Sequence, residues 1–124
     1  MTSFRRFEAG PDPFGRTWDV QFRWQQNGIT IRHADTIDVK FDVSTVDEPR
    51  QEKVIALRHP DLLRLSKETG RNLSDAWCMK LSALHLKYMI ETDEDMERTL
   101  VTAPYAKLVQ YHKQLAEMPQ PVQG

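Results

Sequence analysis

The stretch from Ser74 to Glu91 reads SDAWCMKLSALHLKYMIE and has the pattern of a long α-helix at the centre of a domain. At 100° per residue, apolar side chains cover most of the helix circumference, and the clearly solvent-seeking arc holds Lys80, Lys87 and Glu91. A surface helix has a single apolar stripe, so this pattern predicts a helix packed on more than one side. Ser74 is the expected N-cap.

One arc of this helix carries Cys78, Ser82, His85 and Met89. The apolar sectors of the helix have expected partners within the chain, because one can cover a sheet and another can face the last helix. This arc has no such partner, and we predict that it lines a ligand pocket or a dimer interface. A metal site is disfavoured, since Cys78 and His85 are separated by about 10.5 Å of axial rise and paired ligands on a helix normally sit at i and i+4.

Two strands are expected before this helix. Residues 17–26 alternate strictly between apolar and polar side chains, which is typical of a half-buried strand. Asn27-Gly28 is the preferred pair for a two-residue type I′ turn, and a second alternating segment runs from Ile29 to Val43. The predicted inner face of the first strand holds Trp18, Val20, Phe22 and Trp24.

The register set by this turn places His33 opposite Phe22 and Asp35 opposite Val20, on an otherwise apolar face. A carboxylate about 6.5 Å from an imidazole on the same strand face can orient it and raise its basicity. His33 and Asp35 are therefore candidates for half of a catalytic site or for a ligand pocket. The alternative is a bulge at 33–36 that sends both side chains to water, since Asp is common in turns.

Local signals also divide the rest of the chain. Residues 44–52 form an expected polar connection, and 53–58 a third strand, with a helix start as the alternative. The sequence His-Pro-Asp at 59–61 indicates a helix start, and Gly70 indicates its end. The polar residues 92–95 predict a short helix that ends near Val101, and 102–104 precede a last helix.

Strands followed by helices predict an α+β fold. We expect a three-stranded antiparallel β-meander followed by three to four α-helices packed on one sheet face, with the central helix at about 74–91. The expected organisation is an irregular N-terminal arm at 1–15, a single domain at 16–118 and a disordered tail at 119–124. A chain of 124 residues is the size of one domain.

The composition disfavours several functional classes. With 17 basic and 18 acidic residues, the chain lacks the basic excess of a nucleic-acid-binding protein. No apolar run approaches the ~20 residues that span a bilayer. Arg5-Arg6 is not followed by the apolar region of an export signal, and we expect a cytoplasmic protein. Neither a Cys-x-x-Cys pair nor a Gly-rich phosphate motif is present, and we expect no cofactor.

We therefore predict a non-catalytic interaction domain that forms a homodimer or binds another protein. The alternative is a small-ligand-binding or enzymatic domain that uses His33 and Asp35 in a pocket between the sheet and the helices. The sequence does not identify a partner or a reaction.

Overall fold

The computed structural model describes residues 4–28 and 36–118. Its elements, in chain order, are β1 (Arg6–Ala9), β2 (Trp18–Gly28), β3 (Thr36–Thr45), β4 (Glu48–Arg58), α1 (His59–Thr69), α2 (Asp75–Thr92), β5 (Leu100–Thr102) and α3 (Tyr105–Glu117). The strands form one sheet in the order β1-β2-β3-β4-β5, antiparallel except for β5, which runs parallel to β4. The fold is α+β, as expected, but its described sheet has five strands where three were predicted.

The central helix forms as predicted. Ser74 is the N-cap of α2, and its side chain accepts a hydrogen bond from the Trp77 backbone N–H at 3.2 Å. Most of the circumference of α2 is buried, because the helix packs against α3 on one side and against the sheet on another. The prediction of a helix packed on more than one side is confirmed.

The ends of the flanking helices were also predicted by local signals. Proline occupies the first turn of α1, and Gly70 caps its C-terminus with a left-handed φ of 71°. Helix α3 begins at Tyr105, directly after the expected opening at 102–104. These positions are fixed by backbone chemistry within a few residues, so tertiary packing does not displace them.

The link between β2 and β3 differs from the prediction. Asn27-Gly28 lies within β2, where Gly28 pairs with Thr36, so the two-residue turn and the register derived from it are wrong. Phe22 instead pairs with Phe41, and their ring centroids are 6.1 Å apart. Apolar pairs on the buried face of the sheet, Phe22–Phe41 and Val20–Val43, stabilise the observed register.

A β-bulge between Phe22 and Trp24 also changes the face on which Trp24 lies. The extra residue shifts the alternation, so that Trp24 pairs with Lys40 on the outer face and is 38% exposed. The Lys40 ammonium lies 5.7 Å from the centre of the indole ring. Trp24 was predicted to face inward, and the bulge is the reason that it does not.

The third strand is longer than expected. Residues 53–58 are in a strand, as predicted, but β4 begins at Glu48. The polar residues assigned to a connection at 44–52 extend the ladder instead, because their charges pair across the water-facing side of the sheet. Glu52 contacts Lys40 at 2.7 Å, and Arg50 contacts Asp42 at 3.7 Å.

The expected irregular arm at 1–15 contains β1, which pairs with β2 from Arg6–Gln21 to Ala9–Trp18. The loop that follows β1 is built around the buried carboxylate of Asp12. This carboxylate accepts hydrogen bonds from the backbone of Phe14 and Arg16 at 2.9 and 2.8 Å. It also accepts hydrogen bonds from Arg16 Nε and Trp18 Nε1 at 2.8 and 3.0 Å, which fixes the return of the chain into β2.

The predicted short helix at 92–101 is replaced by turns that lead into β5. Asp93 has a left-handed φ of 58° and ends α2, and Asp95 has a φ of 59°, which a helix cannot continue through. The Lys53 ammonium donates hydrogen bonds to the carbonyls of Met96 and Arg98, the second at 2.8 Å. A contact between distant parts of the chain therefore holds this segment in its extended path.

Candidate functional site

The arc of α2 predicted to line a pocket or an interface is buried inside the chain. Cys78, Ser82, His85 and Met89 are each at most 4% exposed. The four side chains are covered within the chain, although Cys78 borders a shallow cleft. No neighbour was predicted for this arc, because the contacts that cover it join residues far apart in the sequence, such as His85 and Tyr111.

Two aromatic–histidine hydrogen bonds join α2 to α3. His85 Nδ1 lies 2.8 Å from the Tyr111 hydroxyl, and the Trp77 indole N–H donates to His112 Nδ1 at 3.0 Å. Burial lowers the pKa of both histidines, which favours the neutral imidazole. The contact with Trp77 requires an unprotonated Nδ1 on His112, because this nitrogen accepts the hydrogen bond. These contacts give both histidines a structural role at the helix–helix interface.

Cys78 and Ser82 differ in their surroundings. Burial, and then the charge of Asp75, raise the pKa of the Cys78 thiol to about 11, so the thiol is protonated at neutral pH. Cys78 also lines a shallow cleft of about 190 Å³ together with His59 and Leu62. The Ser82 hydroxyl is buried and hydrogen-bonds to no described residue.

The candidate pair His33 and Asp35 lies outside the described residues, and its role stays a prediction. Within 4–28 and 36–118, no three His, Cys, Asp or Glu side chains are grouped closely enough to hold a metal ion. Across the same residues, no helix is both long and apolar enough to cross a membrane.

A groove with a mainly apolar lining lies between β1, α2 and α3, and we call it the β1 groove. Its volume is about 280 Å³. It is lined by Phe4, Phe7, Glu8, Ala83, Leu84, Lys87, Gln114 and Met118. The aromatic rings come from the β1 side, and α2 and α3 supply the opposite wall. The groove therefore runs beside the outermost strand of the described sheet.

The backbone of β1 offers hydrogen-bonding groups beside this groove. The Phe22 N–H donates to the Arg5 carbonyl at 2.7 Å, which makes these two residues a hydrogen-bonded pair. Bonded and non-bonded pairs alternate in an antiparallel ladder, so Phe7 directs its N–H and C=O toward β2. Arg6 and Glu8 direct theirs away from the sheet, where no described strand pairs with them.

A polar groove continues from the β1 groove along α2 and α3. It has a volume of about 220 Å³ and shares Leu84, Lys87 and Gln114 with the β1 groove. Its other lining side chains include Glu91 and Lys107. An apolar centre with a polar, charged border is the usual composition of a surface that binds protein.

Strand β1 was not predicted, although the sequence contains a short signal for it. Arg6-Phe7-Glu8-Ala9 alternates between polar and apolar residues, and the structure places Ala9 inside and Arg6 and Glu8 outside. Four residues are too few to distinguish this alternation from chance in a segment rich in glycine and proline. The packing of Phe7 against the core is what makes the strand recognisable.

Comparison with protein-family models, curated proteins and solved structures gives no match for this chain.

Proposed function

We propose that the protein is a non-catalytic interaction domain that binds an extended polypeptide strand at the edge of β1. One observation carries the proposal: the outward-directed backbone groups of Arg6 and Glu8 lie beside an apolar groove of about 280 Å³. In strand addition, main-chain hydrogen bonds provide affinity, and pockets for alternate side chains provide specificity. The β1 edge combines both requirements.

The position of the groove fits this mode of binding. A strand added beside β1 would point every second side chain toward the helices, since successive side chains alternate between the faces of a sheet. Phe7 and Leu84 would contact these side chains from two sides of the groove. The remaining side chains would lie beside Arg6 and Glu8 on the charged outer face.

A peptide-binding selection with a matched pair of variants tests this function. Glu8→Pro removes an outward-directed N–H, and Glu8→Ala removes the same charge but keeps the N–H. We expect a displayed library of short random peptides to yield binders with alternating apolar residues, which bind the wild type and Glu8→Ala but not Glu8→Pro. The chain is immobilised at low density, so that copies of it do not compete.

Circular dichroism of both variants provides the folding control. The selection contradicts the proposal if it yields no binder to the wild type, or if folded Glu8→Pro retains the binders as well as Glu8→Ala does.

A further inference from the structure

The charged residues of β1 would complement those of a second β1 strand paired with it in the antiparallel direction. Arg6 and Glu8 are exposed, lie on the outer face and flank Phe7, which packs against the core on the opposite face. If β1 pairs antiparallel with a second β1 centred on Phe7, each Arg6 comes to lie opposite the Glu8 of the other copy. A two-fold axis therefore creates two opposite-charge pairs from one strand.

The hydrogen-bond pattern of the backbone fits the same register. Arg6 and Glu8 are the residues whose N–H and C=O groups point away from β2. In the self-paired register they become hydrogen-bonded pairs, which gives four main-chain hydrogen bonds across the axis. The two Phe7 residues form the non-hydrogen-bonded pair at the centre, where side chains on adjacent strands approach most closely.

The electrostatics of the edge also favour a cation from outside the chain. Glu8 lies directly opposite Asp19, and like charges in that position are destabilising. Arg6 contacts Asp19 diagonally at 3.7 Å, and no described residue forms an ion pair with Glu8. A second Arg6 opposite Glu8 would place an arginine at the end of this row of two carboxylates.

We propose that the strand bound at the β1 edge is β1 of a second copy of the chain, so that two five-stranded sheets join into one. This inference rests on the proposed function, because it requires an edge that accepts a strand. The two-fold axis is perpendicular to the sheet, so the helices of both copies lie on the same side. Each Phe7 then covers the mouth of the groove of the other copy.

Charge reversal at the two positions tests the pairing. Arg6→Glu places carboxylates opposite each other twice, and Glu8→Arg does the same with guanidinium groups. We expect each variant to raise the dissociation constant of the homodimer about tenfold or more, because symmetry doubles each change. Light scattering across a dilution series of the full chain measures this constant.

The decisive measurement is the rescue. In a mixture of Arg6→Glu with Glu8→Arg, both pairs across the axis again join opposite charges, and native mass spectrometry should show the heterodimer in excess over either homodimer. The double variant with both reversals should form a homodimer as the wild type does. Lys113→Glu makes the same charge change as Arg6→Glu on the exposed face of α3 and should leave the dimer intact.

Each outcome decides a separate question. A wild type that is monomeric at every concentration overturns the dimer, while the peptide selection still tests whether the edge binds a strand of another protein. A wild-type dimer that neither reversal weakens overturns the pairing register. Weakening without rescue also overturns it, because the loss would then come from net charge and not from the pairs.

Discussion

The two outermost strands of the described sheet differ, because a buried lysine fastens the segment that leads into β5, whereas β1 borders a groove. Lys53 is 2% exposed, and its ammonium donates hydrogen bonds to the carbonyls of Met96 and Arg98, just before β5. Strand β5 is held from the side by hydrogen bonds of β4, including Val54 N–H to the Thr99 carbonyl at 2.7 Å. Among the described residues, nothing comparable lies outside β1.

Each of these two strands is fixed by a buried charged group, but at a different place. At the β5 edge, burial lowers the pKa of Lys53, although the charges of Glu97 and Glu48 oppose this shift. The hydrogen bonds of this buried ammonium fix a segment that has few backbone hydrogen bonds of its own. At the β1 edge, the corresponding group is Asp12, which fixes the strand from its end and leaves its side open.

The largest loss in the free energy of unfolding is expected in the loop that follows β1, at the position where a side chain has least room. Gly10 has a φ of +124°, and a Cβ added there would lie 2.7 Å from the Arg16 carbonyl oxygen. We expect Gly10→Ala to lower the free energy of unfolding by about 3 kcal/mol, since both the backbone conformation and the contact are unfavourable. Urea denaturation measures the change.

Gly15→Ala in the same loop is the matched control. Gly15 has a φ of +80°, but an added Cβ meets no atom within 4 Å. The expected loss is about 1 kcal/mol, from the left-handed conformation alone. Equal losses in the two variants would show that the tight contact beside β1 does not contribute.

The next largest loss of stability is expected where Lys53 fastens the segment before β5. Lys53→Ala removes the donor to two carbonyls and leaves a space below β5, and we expect a loss of about 2 kcal/mol in the free energy of unfolding. Lys53→Met keeps the aliphatic chain and should lose less. In the alanine variant, hydrogen exchange of the Ala103 amide, which donates to the Ala56 carbonyl at 3.1 Å, should accelerate selectively. Unchanged protection there would mean that Lys53 does not hold β5.

A third effect is confined to acid conditions. Burial alone would raise the pKa of Asp12, but hydrogen bonds from Trp18, Arg16 and Phe14 lower it to about 2 from 3.8. The stability that this carboxylate contributes is therefore complete above pH 3.8 and is lost as the pH falls from 3.8 toward 2.

Asp12→Asn should be less stable than the wild type at neutral pH and should lose less stability through this acid window. Thermal denaturation at a series of pH values measures both quantities. Asp47→Asn is the control, because Asp47 contacts the same Arg16 guanidinium at 3.5 Å from an exposed position. If the acid dependence of Asp12→Asn equals that of the wild type, the loop behind β1 is not held by this charge.

The smallest effect is expected on the outside of β5. Leu100 on β5 is 54% exposed, and Leu100→Thr should change the free energy of unfolding by less than about 0.5 kcal/mol. It should also leave the oligomeric state as it is in the wild type. A change in mass on light scattering would show that β5, and not only β1, takes part in association.

The part of the molecule that could be predicted is the part with local signals. Ser74 caps α2 and Gly70 ends α1, each through hydrogen bonds or dihedral angles within a few residues. The candidate site could not be predicted in the same way. Phe7 and Leu84 are far apart in sequence, and they form a groove because β1 folds back against β2 and beside α2.

The sequence by itself determined the α+β class, the central helix, both ends of α1 and the start of α3, because periodicity and capping are properties of short segments. The tertiary structure alone decided the register of β2 against β3, the extended path before β5 and the open edge at β1. Cross-strand contacts such as Phe22–Phe41 and long-range hydrogen bonds such as Lys53–Arg98 set these features. Their energies depend on residues brought together by the whole fold, which local preference does not encode.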